Sequence, residues 1–455
     1  MLSHKLSRRD LLKLMGTATG GLLLAACVPA APAVPAATQS TEAPAASAAE
    51  SPSEQATTVV LMYNANEISE AEMASFVDQY SYEIEFIETD MTKFFASLAA
   101  GTAIDCFRVQ GIEIPSFVLR NIPLDLSDRF AMSAVVPLEE LVPANDFYLV
   151  DGKRYGMVKD WSPDYSIWVN KSIWEEMGVP VPDPTVSMNY TEWRDLSIQL
   201  TKKEGDRTLI FGTDFTPLNH PLTWIPSTFE QSSTIFNEDF TQVALDAEKT
   251  REFIDFWLDW MKEGGLPSSL NPHVAGWSGQ DWRQRAAATT QWGYWFSGMA
   301  ESEEVPGDDI LMMRAPSWGP TYTNPCASGT GMAISAATKV PDAAWKLFEW
   351  FGGEGPAESR ASSGWGVPGL KRLFDLMPID QPWRKQSYDM VQWEMENTAL
   401  PVVQWTPYAS PSGFESTWNK YLDPALAGDM SVEEMLQNVA SEFNQALEEG
   451  VARAS

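Results

Sequence analysis

Between residues 59 and 110 the hydrophobic positions switch twice between two periods. Val59-Val60-Leu61-Met62-Tyr63 is an unbroken apolar run of strand length, and Met73, Phe76, Val77 and Tyr80 then recur at the spacing of one helix face. Tyr82, Ile84 and Phe86 alternate with glutamates, as in a strand with one solvated face. Phe94, Phe95 and Leu98 return to helical spacing, and Gly101-Thr102-Ala103-Ile104-Asp105 leads into a third strand. The order βαβαβ predicts an α/β fold, a mostly parallel sheet with helices on its faces. Ligands of such open sheets bind beyond the carboxyl ends of the strands. That rule selects Asn64, Asn66, Glu67, Arg108 and Gln110, whose polar groups suit a hydrogen-bonding ligand; for each, an ordinary turn or surface role is the competing reading.

Further along, Asp151-Gly152 is a turn signal, followed by an extended segment with Tyr155, Met157 and Val158 and by Ser166-Ile167-Trp168-Val169, before Asn170-Lys171 opens a short helix. Asn189-Tyr190-Thr191-Glu192 predicts a capped helix with Trp193, Leu196 and Leu200 on one face. Lys249–Glu263 carries Phe253, Phe256, Trp257, Trp260 and Met261 as a helical stripe, which we read as core. Arg283–Thr290 is assigned to a helix, and Gln291-Trp292-Gly293-Tyr294-Trp295 follows it. Met332-Ala333-Ile334 predicts a strand, and Pro341 opens a helix at a position proline tolerates. A capping box at Ser431–Glu434 starts a last amphipathic helix through Met435, Leu436, Val439, Phe443 and Leu447.

The first 56 residues read differently. Ser7-Arg8-Arg9-Asp10-Leu11-Leu12-Lys13 is close to the twin-arginine export pattern, and the apolar stretch Leu14–Ala26 is short and glycine-interrupted. Leu24-Ala25-Ala26-Cys27 matches a lipobox, which makes residues 1–26 a signal peptide and Cys27 the lipidated residue; an ordinary cleaved signal is the alternative. Acyl chains hold by burying methylenes, at about 0.8 kcal/mol each, so stable anchoring takes more than one chain. Residues 28–56 are Ala, Pro, Ser, Thr and Glu with almost no large apolar groups, a disordered tether reaching roughly 30 Å as a flexible coil.

Composition narrows the function. Without residues 1–26 the chain has 27 basic and 61 acidic side chains, a net charge of −34, which argues against a nucleic-acid partner. Cys106 and Cys326 lack the spacing of a metal or redox motif; a disulfide between them stays open, with two buried free thiols preferred. His220 and His273 are the only histidines after processing, and neither HExxH nor GxSxG occurs. Gly364-Trp365-Gly366-Val367-Pro368-Gly369 formally matches GxGxxG, but no strand precedes it and Pro368 obstructs the helix a dinucleotide site needs.

Asp151–Gly178 resembles a segment of the family 1 extracellular solute-binding proteins, the receptors of carbohydrate ABC importers. The matching positions are Asp151, Gly152, Lys153, Tyr155, Gly156, Trp168, Asn170, Lys171, Ile173, Trp174, Glu175 and Gly178, with Val158-Lys159 where the family usually has a proline. Weaker similarities recur, in the family's order, at Ala100–Asp105, Tyr190–Trp193, Gly293-x-Trp295, Ile334–Phe348 and Gly364–Pro368, and together they span about residues 57–450. The resemblance implies two α/β lobes, each a mostly parallel sheet flanked by helices, joined by crossing strands in a periplasmic-binding-protein-like fold. It implies lobe 1 at 57–160 plus 328–364 and lobe 2 at 161–327 plus 365–455, with Ala315–Thr330 as a return crossing.

The crossing strand carries Asp160 and Trp161 to the cleft, and Trp295 is the foremost aromatic candidate there, because an indole face suits the C–H face of a pyranose. Trp277, Trp282 and Trp292 are weaker candidates. Trp365 joins them from the return segment, and Trp405 and Tyr408 from a C-terminal segment, Leu400-Pro401 to Trp418, that resembles the family's cleft lining. The implied protein is a monomeric sugar receptor without catalytic residue, cofactor or metal, lipid-anchored outside the cell membrane and docking on ABC permease subunits. Two alternatives stay open. One is a receptor for a peptide, polyamine or other solute, with Glu67, Asp160 and Asp164 for a cation or Arg108 and Lys159 for an anion; the other is a secreted glycosidase using two of the 61 carboxylates.

Overall fold

The computed structural model describes residues 56–102, 104–215, 235–243, 245, 248–318, 322–326, 329–398 and 404–454. The export signal, Cys27 and the tether lie outside those residues, as do Ala103, His220, Leu400, Pro401 and the expected lobe boundary at 327–328.

The predicted βαβαβ unit is present. β1 (Thr58–Tyr63) pairs in parallel with β2 (Glu83–Glu88) on one side and β3 (Cys106–Gln110) on the other. Two-residue alternation along β1 feeds two cores. Val59, Leu61 and Tyr63 belong to the one holding Phe76 of helix Glu70–Tyr80 and Trp350 of helix Pro341–Gly353, while Met62 joins Phe94 and Phe107 in the other. Ser69 and Glu72 close a capping box at the first helix, and Asp90 caps the second, Met91–Ala100.

A hairpin follows, β4 (Leu149–Val150) and β5 (Lys153–Arg154), turning through Asp151 and Gly152 with φ of 51° and 75°, the pair of left-handed residues that a type I′ turn requires. β6 (Gly156–Val158) is the edge of the first sheet, paired to β13 (Thr330–Ile334), which is itself antiparallel to β3. The sheet order is β2-β1-β3-β13-β6, with β13 alone reversed. This is the mostly parallel sheet that the sequence predicts.

The second sheet departs from that expectation. β8 (Ile167–Asn170), buried along its whole length, is antiparallel to both neighbours, β11 (Thr289–Gln291) and β12 (Ile310–Met313). A small hairpin, β9 (Lys202–Glu204) with β10 (Arg207–Ile210), lies between helix Tyr190–Leu200 and helix Glu248–Lys262 in the chain. The stripe read as core is core, with Trp257 and Trp260 stacked at 5.0 Å and Trp193 edge-on to Trp260 at 5.4 Å. The helix expected over Arg283–Thr290 is instead a helix Ser278–Arg283 followed by a strand. Arg285, at φ 56°, breaks the helix, and Thr289 and Thr290 pair with Val169 and Trp168, where β-branched side chains fit.

Three connections join the sheets: residues 159–166 between β6 and β8, residues 314–329 between β12 and β13, and the path from helix Gly355–Ser363 to helix Pro382–Asn397, which packs on β12. On that third path β14 (Val367–Pro368) pairs with β7 (Asp160–Trp161), stitching it to the first connection. Tyr165 N–H donates to Asn324 Oδ1 at 2.7 Å, and Asn324 Nδ2 donates to Ser166 Oγ at 3.0 Å, so the first two connections are also tied together. Cys106 and Cys326 are both buried and form no disulfide with each other. Among the described residues, no helix is long and apolar enough to cross a membrane.

Candidate functional site

A cavity of about 520 Å³ opens where the three connections pass between the sheets. Its polar wall comes from the first sheet. Asn66 and Glu67 follow the carboxyl end of β1, and Arg108 and Gln110 share one face of β3. The first connection supplies Lys159, Asp160, Trp161, Ser162, Asp164 and Tyr165, and the return supplies Cys326, Gly329 and Thr330.

Four of these side chains form one ionic cluster. Arg108 grips Glu67 through both ends of its guanidinium, Nε to Oε2 at 3.1 Å and Nη2 to Oε1 at 3.2 Å. Lys159 Nζ lies 3.8 Å from Glu67 and also donates to Asp160. Asn64, one turn back, donates to Glu67 Oε1 at 3.3 Å and so acts on the carboxylate, not on the cavity. Burial opposes ionisation of Glu67, but Lys159 and Arg108 outweigh it and hold its carboxyl below the usual range. For Asp160 burial wins over Lys159, and its carboxyl is raised.

The opposite wall is aromatic. After β11 the chain turns at Gly293, whose φ of 53° and whose 2.3 Å gap between an added Cβ and the Pro163 carbonyl admit only glycine. That turn sends Trp292 and Trp295 into the cavity while Trp168 Nε1 donates to the Gly293 carbonyl at 2.7 Å and fixes the loop. Trp277, Trp292, Trp295 and Trp365 form a continuous series, with successive centroids 6.4, 5.4 and 6.0 Å apart. Phe215 meets Trp292 edge-on at 4.7 Å, and Trp292 Nε1 donates to Ser278 Oγ. Trp161 Nε1 is buried in the wall with no hydrogen-bond partner among the described residues. The arrangement offers a planar solute indole faces on one side and charged hydrogen-bonding groups on the other.

Residues 83–358, well over half of the chain, match the profile of the bacterial extracellular solute-binding proteins. The chain belongs to that family. No curated protein sequence matches this solute-binding protein. Among solved structures, it is similar to an ABC substrate-binding protein from Listeria monocytogenes in complex with cycloalternan, at 17% identity and TM-score 0.73, covering 87% of this chain and 100% of that one. It is also similar to an ABC transporter solute-binding protein from Agrobacterium radiobacter K84 in complex with ribitol, at 16% identity and TM-score 0.70, covering 86% and 98%. A third is the ABC transporter associated binding protein from B. animalis subsp. lactis in complex with β-1,6-galactobiose, at 15% identity and TM-score 0.69, covering 87% and 99%. At these identities the likeness establishes a shared two-lobed fold.

The cavity of the solute-binding protein brings together Asn66, Glu67, Arg108, Gln110, Asp160, Trp161, Trp277, Trp292, Trp295 and Trp365. Three expected residues do not line it: Asn64, which donates to Glu67 instead, and Trp405 and Tyr408, which lie elsewhere. Trp405 is buried, donates Nε1 to the Ala409 carbonyl at 2.8 Å and packs on Phe236 at 4.7 Å. Tyr408 lines a separate pocket with Arg120 and Arg453. The C-terminal helices Pro411–Ala427 and Val432–Ala454 pack on each other and hold Trp405 against Phe414 and Phe443, and among the described residues of that region only Glu415 lines the cavity. Trp282, a weaker candidate, is core as well, with Nε1 donating to the Ala300 carbonyl. Phe215, Gln291, Met299 and Glu415 line the cavity without any local sequence signal.

Proposed function

We propose that this protein is an extracytoplasmic receptor that captures a carbohydrate in the cavity and delivers it to an ABC importer. The observation that carries the reading is the series of four indoles facing the Glu67–Arg108–Lys159–Asp160 cluster across one cavity. Indole faces cover the apolar C–H faces of pyranoses, and charged groups give strong hydrogen bonds to hydroxyls. The sugars and polyol held by the structural neighbours support the same ligand class. We divide the chain into lobe 1, residues 57–160 plus 328–364, and lobe 2, residues 161–327 plus 365–455. A ligand touching both walls binds the closed form better than the open one, so it shifts that population by its differential affinity. The mechanism involves capture and release of an unchanged solute, with no bond broken.

A thermal-shift panel of mono- and oligosaccharides, alditols, amino acids, peptides and polyamines tests the ligand class. A ligand at 100 times its Kd stabilises the fold by about 2.7 kcal/mol. A shift with one sugar class is the expected result. A shift with polyamines alone would replace the ligand, a reading that the four lining carboxylates Glu67, Asp160, Asp164 and Glu415 against Arg108 and Lys159 keep worth testing.

Twin-arginine export and lipidation at Cys27 complete the proposal, placing the receptor on the outer face of the cell membrane as a monomer. Cys27→Ser is expected to move the protein from the membrane fraction to the soluble fraction. Retention in the membrane fraction would remove the lipid anchor from the account.

A further inference from the structure

Beside the aromatic wall, Asp214, His273 and Asp281 converge. Their ligand atoms lie within 4.8 Å of one another, with His273 Nδ1 2.8 Å from Asp214 Oδ1 and 3.4 Å from Asp281 Oδ2. Both carboxylates are fully buried. Asp281 is partly satisfied, since Oδ2 accepts from Val274 N–H at 2.9 Å and Oδ1 accepts from Ala275 N–H. Asp214 is not. Neither of its oxygens has a hydrogen-bond partner of proper geometry, and neither does His273 Nδ1, although the two groups touch.

A fully buried carboxylate with no donor is costly, and a second one beside it adds repulsion. Among the described residues no lysine or arginine pairs with either of them. Their backbones are nevertheless held firmly. Asp214 N–H donates to the Thr289 carbonyl at 2.9 Å, and Thr290 Oγ1 donates to the Asp214 carbonyl at 3.1 Å, while Asp281 sits in helix Ser278–Arg283. Two carboxylates and an imidazole nitrogen, fixed in place with no lysine or arginine paired to them among the described residues, form a ligand set.

We propose that Asp214, His273 and Asp281 bind one divalent transition-metal ion of the zinc class. Metal–ligand distances of about 2.0–2.2 Å put neighbouring ligand atoms roughly 3 Å apart, as the two contacts of His273 are. An imidazole ligand selects zinc, cobalt or nickel over calcium and magnesium, which prefer oxygen alone. His273 is partly exposed and gives the ion a route from solvent, while the buried carboxylates close the other side.

The ion would clamp the aromatic wall. Asp214 precedes Phe215, and Trp277 lies in the loop between His273 and Asp281; both rings pack against Trp292 in the cavity. A single ion therefore ties together two segments that each pack a ring on Trp292. Asp214 lies 59 residues before His273, so no local motif announces the set.

The test uses the purified protein after dialysis against a chelator. Titration with Co²⁺ is expected to give a visible d–d absorption band saturating at one ion per chain, displaced by Zn²⁺ but not by millimolar Ca²⁺ or Mg²⁺. Zn²⁺ is also expected to raise the melting temperature of the wild type. His273→Gln changes a partly exposed side chain, and it should keep the far-UV circular dichroism spectrum while weakening Co²⁺ binding by about 100-fold or more. Absence of the band, or the same band and affinity in His273→Gln, would overturn the proposal and leave a metal-free contact of His273 with two carboxylates. Should His273→Gln not fold, Zn²⁺-dependent stabilisation of the wild type decides alone, and no shift overturns the site.

Discussion

Trp295→Ala is expected to weaken binding of the carbohydrate ligand by about 2 kcal/mol, roughly 30-fold, the scale of a central aromatic anchor. Trp295 stands in the middle of the indole series, between Trp292 at 5.4 Å and Trp365 at 6.0 Å. It is half-buried, so one part of the ring packs on the protein and the rest faces the cavity. Gly293 fixes the loop by its backbone, independently of the indole, so the variant keeps its fold and loses a ligand surface. Calorimetry on wild type and variant, with circular dichroism as the folding control, reads the effect. Equal affinities would take Trp295 out of the site.

Glu67→Ala is expected to destabilise the fold by about 3 kcal/mol, since it leaves two cations in a largely buried cluster without their shared partner. Arg108 and Lys159 both face Glu67, and only Lys159 has a second carboxylate, Asp160. The effect carries a pH signature. The folded-state value of Glu67 is depressed below 4.5, so its contribution is present above pH 4.5 and is lost as the pH falls through the lowered value. Asp160 runs the other way: its raised value favours the folded state as the pH falls, and burial, the largest cause, is common to both proteins. The stability gap between wild type and Glu67→Ala is therefore widest near neutrality and narrows in acid. Urea unfolding at pH 7 and at about pH 3.5 measures it; a gap that is absent at neutrality, or that does not narrow, contradicts the ionic account.

The first sheet was readable because its pattern is local. The run Val59–Tyr63, the alternation around Ile84 and the helical spacings of Phe76 and Phe94 each report burial that β1, β2 and their helices realise. The polar half of the site followed from the same reading, since residues at the carboxyl ends of β1 and β3 have few other places to point. The aromatic half needed the Gly293-x-Trp295 similarity, because nothing in an isolated tryptophan distinguishes core from cavity. Trp405 and Trp282 show the difficulty: both are indoles near turns, and the tertiary packing of the helices around them assigns them to the interior. Thr289–Gln291 was misread for a related reason. Its strand conformation comes from pairing with β8, more than a hundred residues away in sequence. Phe215, Glu415 and the Asp214–His273–Asp281 cluster are likewise products of long-range assembly.

The most direct test of the receptor account is calorimetric titration of the purified protein with the sugar class found by thermal shift, followed by chemical analysis of the recovered ligand. The account predicts one-to-one binding and recovery of the sugar with every glycosidic bond intact. No binding of any carbohydrate, or recovery of a cleaved one, would contradict it.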